Sequence, residues 1–311
     1  MQAAGIALWI RQRTEFLRPL WTRQPYEFVA PANVIDESLI PPTDPNAEDF
    51  GCFDRTLIAY AAAYGIDASN IRYSIDFDCE DAPCFKLQPP ASEYRETYTP
   101  LELLALMRAL RYNESFVTIS FEGISLDALQ SCRDLYGFDM DAYTTRAGVP
   151  VDISGQDRLT VLSQEIRALA MKSTKLRKMD FSYCLSRVPE SNDSIRDPGC
   201  GIPEAIYPLC RRQLTTVDWI VLNGIKLDES DLDYMVDAGS QKLSRLRALE
   251  IGNCNISVHD LDLVLSTFTA QETTLEAIDI SGVQGRLNPT VFQRNIGYFG
   301  RIRKLNLSRV A

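Results

Sequence analysis

Few residues in this 311-residue chain have the types and spacing that catalysis or metal binding requires. His259 is the sole histidine, which removes most Ser–His and Cys–His nucleophile arrangements. It also obliges any zinc site to be built from at least three thiolates or with a carboxylate. Cys79 and Cys84 stand four residues apart with no second pair at zinc spacing, and Cys200 and Cys210 are equally unsupported. The eight cysteines, with no export signal before them, read as free and mostly buried thiols in a reducing compartment. Pro198-Gly199-Cys200-Gly201 lacks the Lys and the strand–turn–helix setting of a phosphate loop. The carboxylate pairs Asp76/Asp78 and Glu80/Asp81 read as a solvated acidic run rather than an acid–base pair. Asp228, Asp231 and Asp233 suit the start of a helix, where the macrodipole favours them, and lack the rest of a calcium loop. The expectation is a protein that is not an enzyme and uses no metal or cofactor.

Charge supports a partner other than nucleic acid. The net charge is −10, whereas phosphate-backbone affinity rests on Lys and Arg. The charge is also unevenly placed: residues 27–98 hold fourteen acidic and four basic side chains, and residues 1–26 hold four Arg and one Glu. The rest of the chain is close to neutral, which suggests a boundary near residue 98. No apolar run approaches the roughly 18 residues of a spanning helix, and residues 1–20 carry Arg11, Arg13 and Arg18 where a secretory signal has its apolar region. The expected location is cytoplasmic.

The strongest signal is internal similarity. Leu246-x-x-Leu249-x-Ile251-x-x-Cys254-x-Ile256 recurs as Leu275-x-x-Ile278-x-Ile280-x-x-Val283 and as Ile302-x-x-Leu305-x-Leu307-x-x-Val310. Upstream copies begin at Val217, Leu176 and Phe116, so the last four spacings are 41, 29, 29 and 27 residues. This is the leucine-rich repeat pattern. Its alternating core is a short strand, followed by room for a helix of three to four turns. Leu232, Met235 and Val236, and Leu261, Val264, Leu265 and Phe268, recur at helical spacing. Ser257 with Asp260 resembles a capping box, and Asn288-Pro289 reads as an N-cap and first helical residue. One repeat cannot bury its own apolar stripe, so the predicted fold class is α/β: a leucine-rich repeat solenoid with a curved parallel sheet inside, helices outside and an N-terminal cap. Repeats of 27–29 residues match the ribonuclease-inhibitor-like subtype.

Residues 1–24 read as an amphipathic helix ending a preceding domain, and 25–45 as a Pro-rich linker. Residues 46–112 read as a cap with a preliminary repeat, and 113–311 as repeats with insertions at about 134–157 and 186–201. The chain stops just after a repeat strand, which reads as a truncation of a longer protein. For 137–157 the reading is a loop rather than a degenerate repeat. Within each strand the residues between the apolar ones face the concave side. The candidate protein-binding residues there are Asp180, Tyr183, Asp218, Trp219, Arg247, Glu250, Asp279 and Arg303. Asp180, Val221, Glu250, Asp279 and Asn306 share one column. Trp219 and Tyr183 are of the type enriched in interface hot spots; equally, Trp219 is a strand residue that the 186–201 insertion covers.

Residues 101–119, Leu-Glu-Leu-Leu-Ala-Leu-Met-Arg-Ala-Leu-Arg-Tyr-Asn-Glu-Ser-Phe-Val-Thr-Ile, resemble the approach to the repeats in the CARMIL family, where a helix, a Tyr-Asn pair and an aromatic precede the first repeat strand. The repeats that follow resemble those of CARMIL and tropomodulin. The resemblance implies a cytoskeletal, membrane-proximal scaffold in which a pleckstrin-homology-like domain precedes the repeats, and residues 1–21 would be its last helix. The expected partner is a protein bound on the concave face, in an actin-regulatory assembly. The alternative is a regulator of a small GTPase or a ubiquitin-ligase substrate adaptor. No F-box-like segment precedes the repeats, and no Arg or Asn on the repeat face stands out as a GTPase-activating residue.

Overall fold

The computed structural model describes residues 50–51, 53–111, 113–132, 140–153, 159–186 and 199–310. The expected helix at 1–24, the linker at 25–45 and most of the 186–201 insertion lie outside the described residues. The elements run α1 (Phe53–Tyr64), β1 (Tyr73–Asp76), β2 (Cys84–Leu87), α2 (Pro100–Arg111), β3 (Thr118–Ser120), α3 (Asp127–Gln130), α4 (Val161–Lys172), β4 (Lys178–Asp180), α5 (Ile202–Arg211), β5 (Trp219–Val221), α6 (Glu229–Gly239), β6 (Ala248–Glu250), α7 (Val258–Phe268), β7 (Ala277–Asp279), α8 (Pro289–Ile296) and β8 (Lys304–Asn306). The eight strands form one sheet in sequential order. From β2 to β8 every pairing is parallel.

The first pairing departs from the expected all-parallel sheet: β1 and β2 are antiparallel, with Tyr73 opposite Leu87 and Asp76 opposite Cys84. The reason is connection length. Seven residues separate the two strands, enough for a hairpin and too few for the crossover that parallel neighbours need. The alternation at residues 71–77 signals β1, but β2 has no such alternation and escapes notice in the sequence.

The template recurs in space as well as in sequence. Met179 lies opposite Ile220 and Leu249 opposite Ile278, which in turn lies opposite Leu305. Its apolar positions, such as Phe181, Leu222, Ile251 and Ile280, join the helix residues in one core. That places the helices on one face of the sheet. Leu305 and Leu307, the equivalents in β8, are exposed. The eighth template position is left-handed in all six copies: Gly123, Tyr183, Gly224, Asn253, Gly282 and Arg309 have φ between 55° and 75°. Three of these are glycines, the residue that adopts this region without steric cost. At Gly224 a Cβ would also collide with the Tyr183 ring. The turn carries a ladder of its own, in which the eighth-position N–H of each of the first five copies donates to the seventh-position carbonyl of the next copy. Examples are Gly123 to Ser182 (2.8 Å), Gly224 to Gly252 (2.7 Å) and Gly282 to Ser308 (2.9 Å).

Helix starts follow the sequence signals. Asp228 with Asp231 and Ser257 with Asp260 form complete capping boxes. Asn288 caps α8, with Pro289 in its first turn. α3 ends at Gln130. The described residues between α3 and α4 add no strand to the sheet, where β3 pairs directly with β4. Instead Asp141 from its short 3-10 turn reaches a buried charge network. Glu165 on α4 accepts from Arg111 (2.6 Å) and Arg108 (3.1 Å) of α2, while Asp141 pairs with Arg111 (2.7 Å) and Lys172 (3.3 Å). Burial pushes the Asp141 carboxyl up, and the attraction of Arg111 and Lys172 outweighs it, holding the group below the usual carboxylate range.

Candidate functional site

None of the chemistry-bearing residues forms a reactive constellation among the described residues. His259 is exposed in the first turn of α7. Asp231 is taken up by the backbone N–H groups of Cys200 (2.9 Å) and Asp228 (3.1 Å). That close approach needs Gly199, where a Cβ would lie 2.6 Å from the Asp231 carboxylate. Burial pushes the thiols of Cys84, Cys210 and Cys254 up to about 12, the opposite of an activated nucleophile. No group of three or more His, Cys, Asp or Glu side chains could hold a metal ion among the described residues.

Charge gathers on the face of the sheet that carries no helix among the described residues. Its polar side chains fall into columns because the template positions stay in register. Second positions alternate in sign along five strands: Arg177, Asp218, Arg247, Glu276, Arg303. Each is paired with its neighbour: Arg177 with Asp218, Asp218 with Arg247 at 3.6 Å, Arg247 with Glu276 at 3.2 Å and Glu276 with Arg303 at 3.0 Å. Third positions read Lys178, Trp219, Ala248, Ala277, Lys304. The alanines clear a floor over which the Trp219 ring lies, and Trp219, Val221, Ala248 and Ala277 form a second apolar cluster, separate from the main core. Lys178, Arg247 and Lys304 stand 4.9, 5.1 and 4.9 Å from the Trp219 ring centroid, within cation–π range. Side chains from β4 and β8, four strands apart at about 4.8 Å per step, thus converge on one ring. This convergence marks the face as concave.

The geometry revises several of the sequence-predicted contact residues. Trp219 is fully buried and Asp218 is 7% exposed, so neither is an accessible hot spot. The cover on Trp219 is the three cations, and its indole N–H donates to Glu250 Oε1 at 2.6 Å. Asp180 and Asp279 accept from the backbone N–H of Ser182 (2.9 Å) and Ser281 (3.0 Å) two residues on, so these carboxylates shape their own turns. The column Asp180, Val221, Glu250, Asp279, Asn306 is in register. Tyr183 is exposed at the rim, its hydroxyl accepting from Asn253 Nδ2 at 3.3 Å. Arg247 and Arg303 sit in the charge column.

Two residues of this face have only an indirect signal in the sequence. Glu80 and Asp81, read as part of a solvated acidic run, lie in the turn between β1 and β2 and reach across to the opposite end of the sheet. Asp81 pairs with Arg247 at 3.4 Å, and Glu80 pairs with Arg303 and with Lys304 at 2.8 Å. The hydrogen bond from Lys304 and, after it, that from Arg303 hold the Glu80 carboxyl below its usual range. The available signal was the charge asymmetry itself: an acidic stretch before the repeats and Arg-Ile-Arg-Lys at 301–304 in the last copy.

Burial pushes the Asp218 carboxyl up to about 6 against the pull of Arg177 and Arg247. A carboxyl raised in the folded state contributes stability that is fully present below its unfolded pKa near 3.8 and is lost as pH rises through about 6. Relative to Asp218→Asn, the wild-type chain is therefore expected to lose about 2–3 kcal/mol of stability between pH 4 and pH 7. Urea unfolding across that range measures the difference; a gain with rising pH would contradict it.

A family model described as "Second PH domain in LRR-containing protein" matches residues 1–44, a stretch that lies outside the described residues. No curated protein matches the chain. Over its first 44 residues the chain is thus similar to a domain of leucine-rich-repeat-containing proteins, and behind it stands an α/β fold with one eight-stranded sheet.

Proposed function

We propose that the described fold is a leucine-rich repeat solenoid of the ribonuclease-inhibitor-like subtype, serving as a non-enzymatic protein-interaction scaffold whose contact surface is the concave face. The observation that carries this reading is the six-fold recurrence of one strand-and-turn unit, with its left-handed eighth residue and its in-register columns of charge. Such stacking lines up side chains from many strands on one face, which suits binding to an extended partner surface. The raised thiol pKa values and the structural use of Asp231 support a role without catalysis. The match at residues 1–44 supports placing the repeats behind a pleckstrin-homology domain, the order implied by the resemblance to CARMIL. With that order comes the finer proposal of a cytoplasmic, membrane-proximal role in actin regulation.

Photo-crosslinking in the full chain tests the surface. A photoreactive residue placed at Tyr183 or Arg309, both exposed on the concave rim, is expected to capture the partner. The same residue at His259 or Leu263, exposed on α7, is expected not to. Adducts confined to positions 259 and 263 would refute the concave-face reading.

A further inference from the structure

The concave face already carries an acidic occupant, and it belongs to the chain itself. The turn between β1 and β2 starts from the first strands and ends against the last, with Glu80 on Arg303 and Lys304 and Asp81 on Arg247. Two of these three cations, Arg247 and Lys304, also lie over Trp219.

The turn is held unevenly. Its root is built into the sheet: the Pro83 carbonyl accepts from the N–H groups of Val117 (3.0 Å) and Thr118 (3.2 Å), and the Asp81 carbonyl accepts from Thr118 Oγ1 (2.7 Å). Toward the tip the hold becomes ionic: Asp81 adds to its carbonyl bond a pair with Arg247 whose side chains are 16% and 18% exposed, and Glu80 is held by its charge pairs. The side chains of Glu80, Arg303 and Lys304 are 37%, 44% and 50% exposed, so water competes for each pair. Beneath the tip a cavity of about 200 Å³, bordered by Glu80, Asp81, Lys86, Lys178, Asp180 and Lys304, replaces the close packing that would fix a permanent element. A segment whose outer residue, Glu80, is held over a cavity by exposed ion pairs can be exchanged there for another that offers the same charges.

We propose that the Glu80–Asp81 tip is an internal ligand guarding the cations of the concave face, and that the partner bound there presents an acidic peptide segment with neighbouring carboxylates that displaces it. The proposal rests on the reading of this face as the contact surface and adds the chemistry of the partner. Displacement exchanges carboxylate for carboxylate, so affinity is set by the competition between tip and partner rather than by new charge pairing.

The test uses the full chain and, as probe, a heptapeptide copying residues 77–83 with serine in place of Cys79. Binding is followed by the NMR signals of the Lys178 and Lys304 side chains up to millimolar peptide. Glu80→Ala/Asp81→Ala is expected to bind the probe at least tenfold more tightly than wild type. Glu80→Ala alone, at an exposed position that does not endanger the fold, is expected to shift affinity in the same direction. Adding Arg303→Glu/Lys304→Glu should abolish the gain, and a probe with Gln and Asn in place of its Glu and final Asp should not bind. Equal affinity of wild type and both tip variants, or equal binding of the amide probe, overturns the proposal. If that happens while cross-links still form at Tyr183 and Arg309, the acidic partner is refuted and the contact surface stands. Cross-links confined to α7 refute the surface and the proposal together.

Discussion

Trp219→Ala is expected to lower the stability of the chain by about 3–5 kcal/mol, the range for deleting a fully buried large aromatic. The side chain is 0% exposed, although it sits on the polar face of the sheet. Its ring fills the space left by Ala248 and Ala277, so truncation leaves a hollow that two methyl groups cannot close. Three further losses follow. Lys178, Arg247 and Lys304 lose the ring that they share. Glu250, half-buried and pushed up by that burial, loses the indole donor. The tip at Glu80–Asp81 then faces cations that no longer have a common floor. Trp219→Phe retains the ring and should cost only about 1–3 kcal/mol, the penalty for a buried acceptor left unsatisfied. Urea unfolding of the two variants separates the cases: a loss below about 1 kcal/mol for Trp219→Ala would mean that the residue is a solvent-facing contact after all. The same result bears on any binding experiment, since a partner lost in Trp219→Ala would report a disturbed fold rather than a missing contact.

The second large effect is expected at Glu165. This carboxylate is 1% exposed and is held between Arg108 and Arg111. Removing it by Glu165→Ala takes one carboxylate from Arg111, itself buried and still paired with Asp141, and should cost about 3–5 kcal/mol. The cost comes from a buried cation that is less fully compensated more than from the pair's own attraction. Glu165→Leu combined with Arg111→Met therefore should recover a substantial part of the loss, because two apolar side chains of similar volume leave no stranded charge. The test is a double-mutant cycle in urea. A double variant no more stable than the sum of its singles would refute the network account. The network also ties the Met140–Tyr143 turn to α2 and α4, so Glu165→Ala should loosen that turn as well.

How much of this was legible in the sequence depends on the range over which each interaction acts. Residues such as Ile220, Leu222 and Ile225 announce themselves because a strand alternates its side chains and the turn returns the chain to the core at a constant interval. Capping at Ser257–Asp260 and Asn288–Pro289 is visible for the same reason, since its partners lie within three residues. Asp180 and Asp279 belong to the same class: their partners Ser182 and Ser281 lie two residues on, so the Asp-x-Ser spacing carries the signal that these carboxylates are occupied by their own turns.

Sequence by itself determined the repeating unit, its register and the columns of residues that the register creates, because all of these follow from periodicity along the chain. Only the tertiary structure decided which of those residues stay exposed. Curvature brings Lys178 and Lys304 over one indole ring, and the hairpin carries Glu80 to within 2.8 Å of Lys304, 224 residues further along the chain. Neither contact has a local signature, since each depends on where the sheet turns its two ends. The acidity of residues 27–98, which in the sequence looks like a property of a separate segment, is in part the counter-charge of the last repeat.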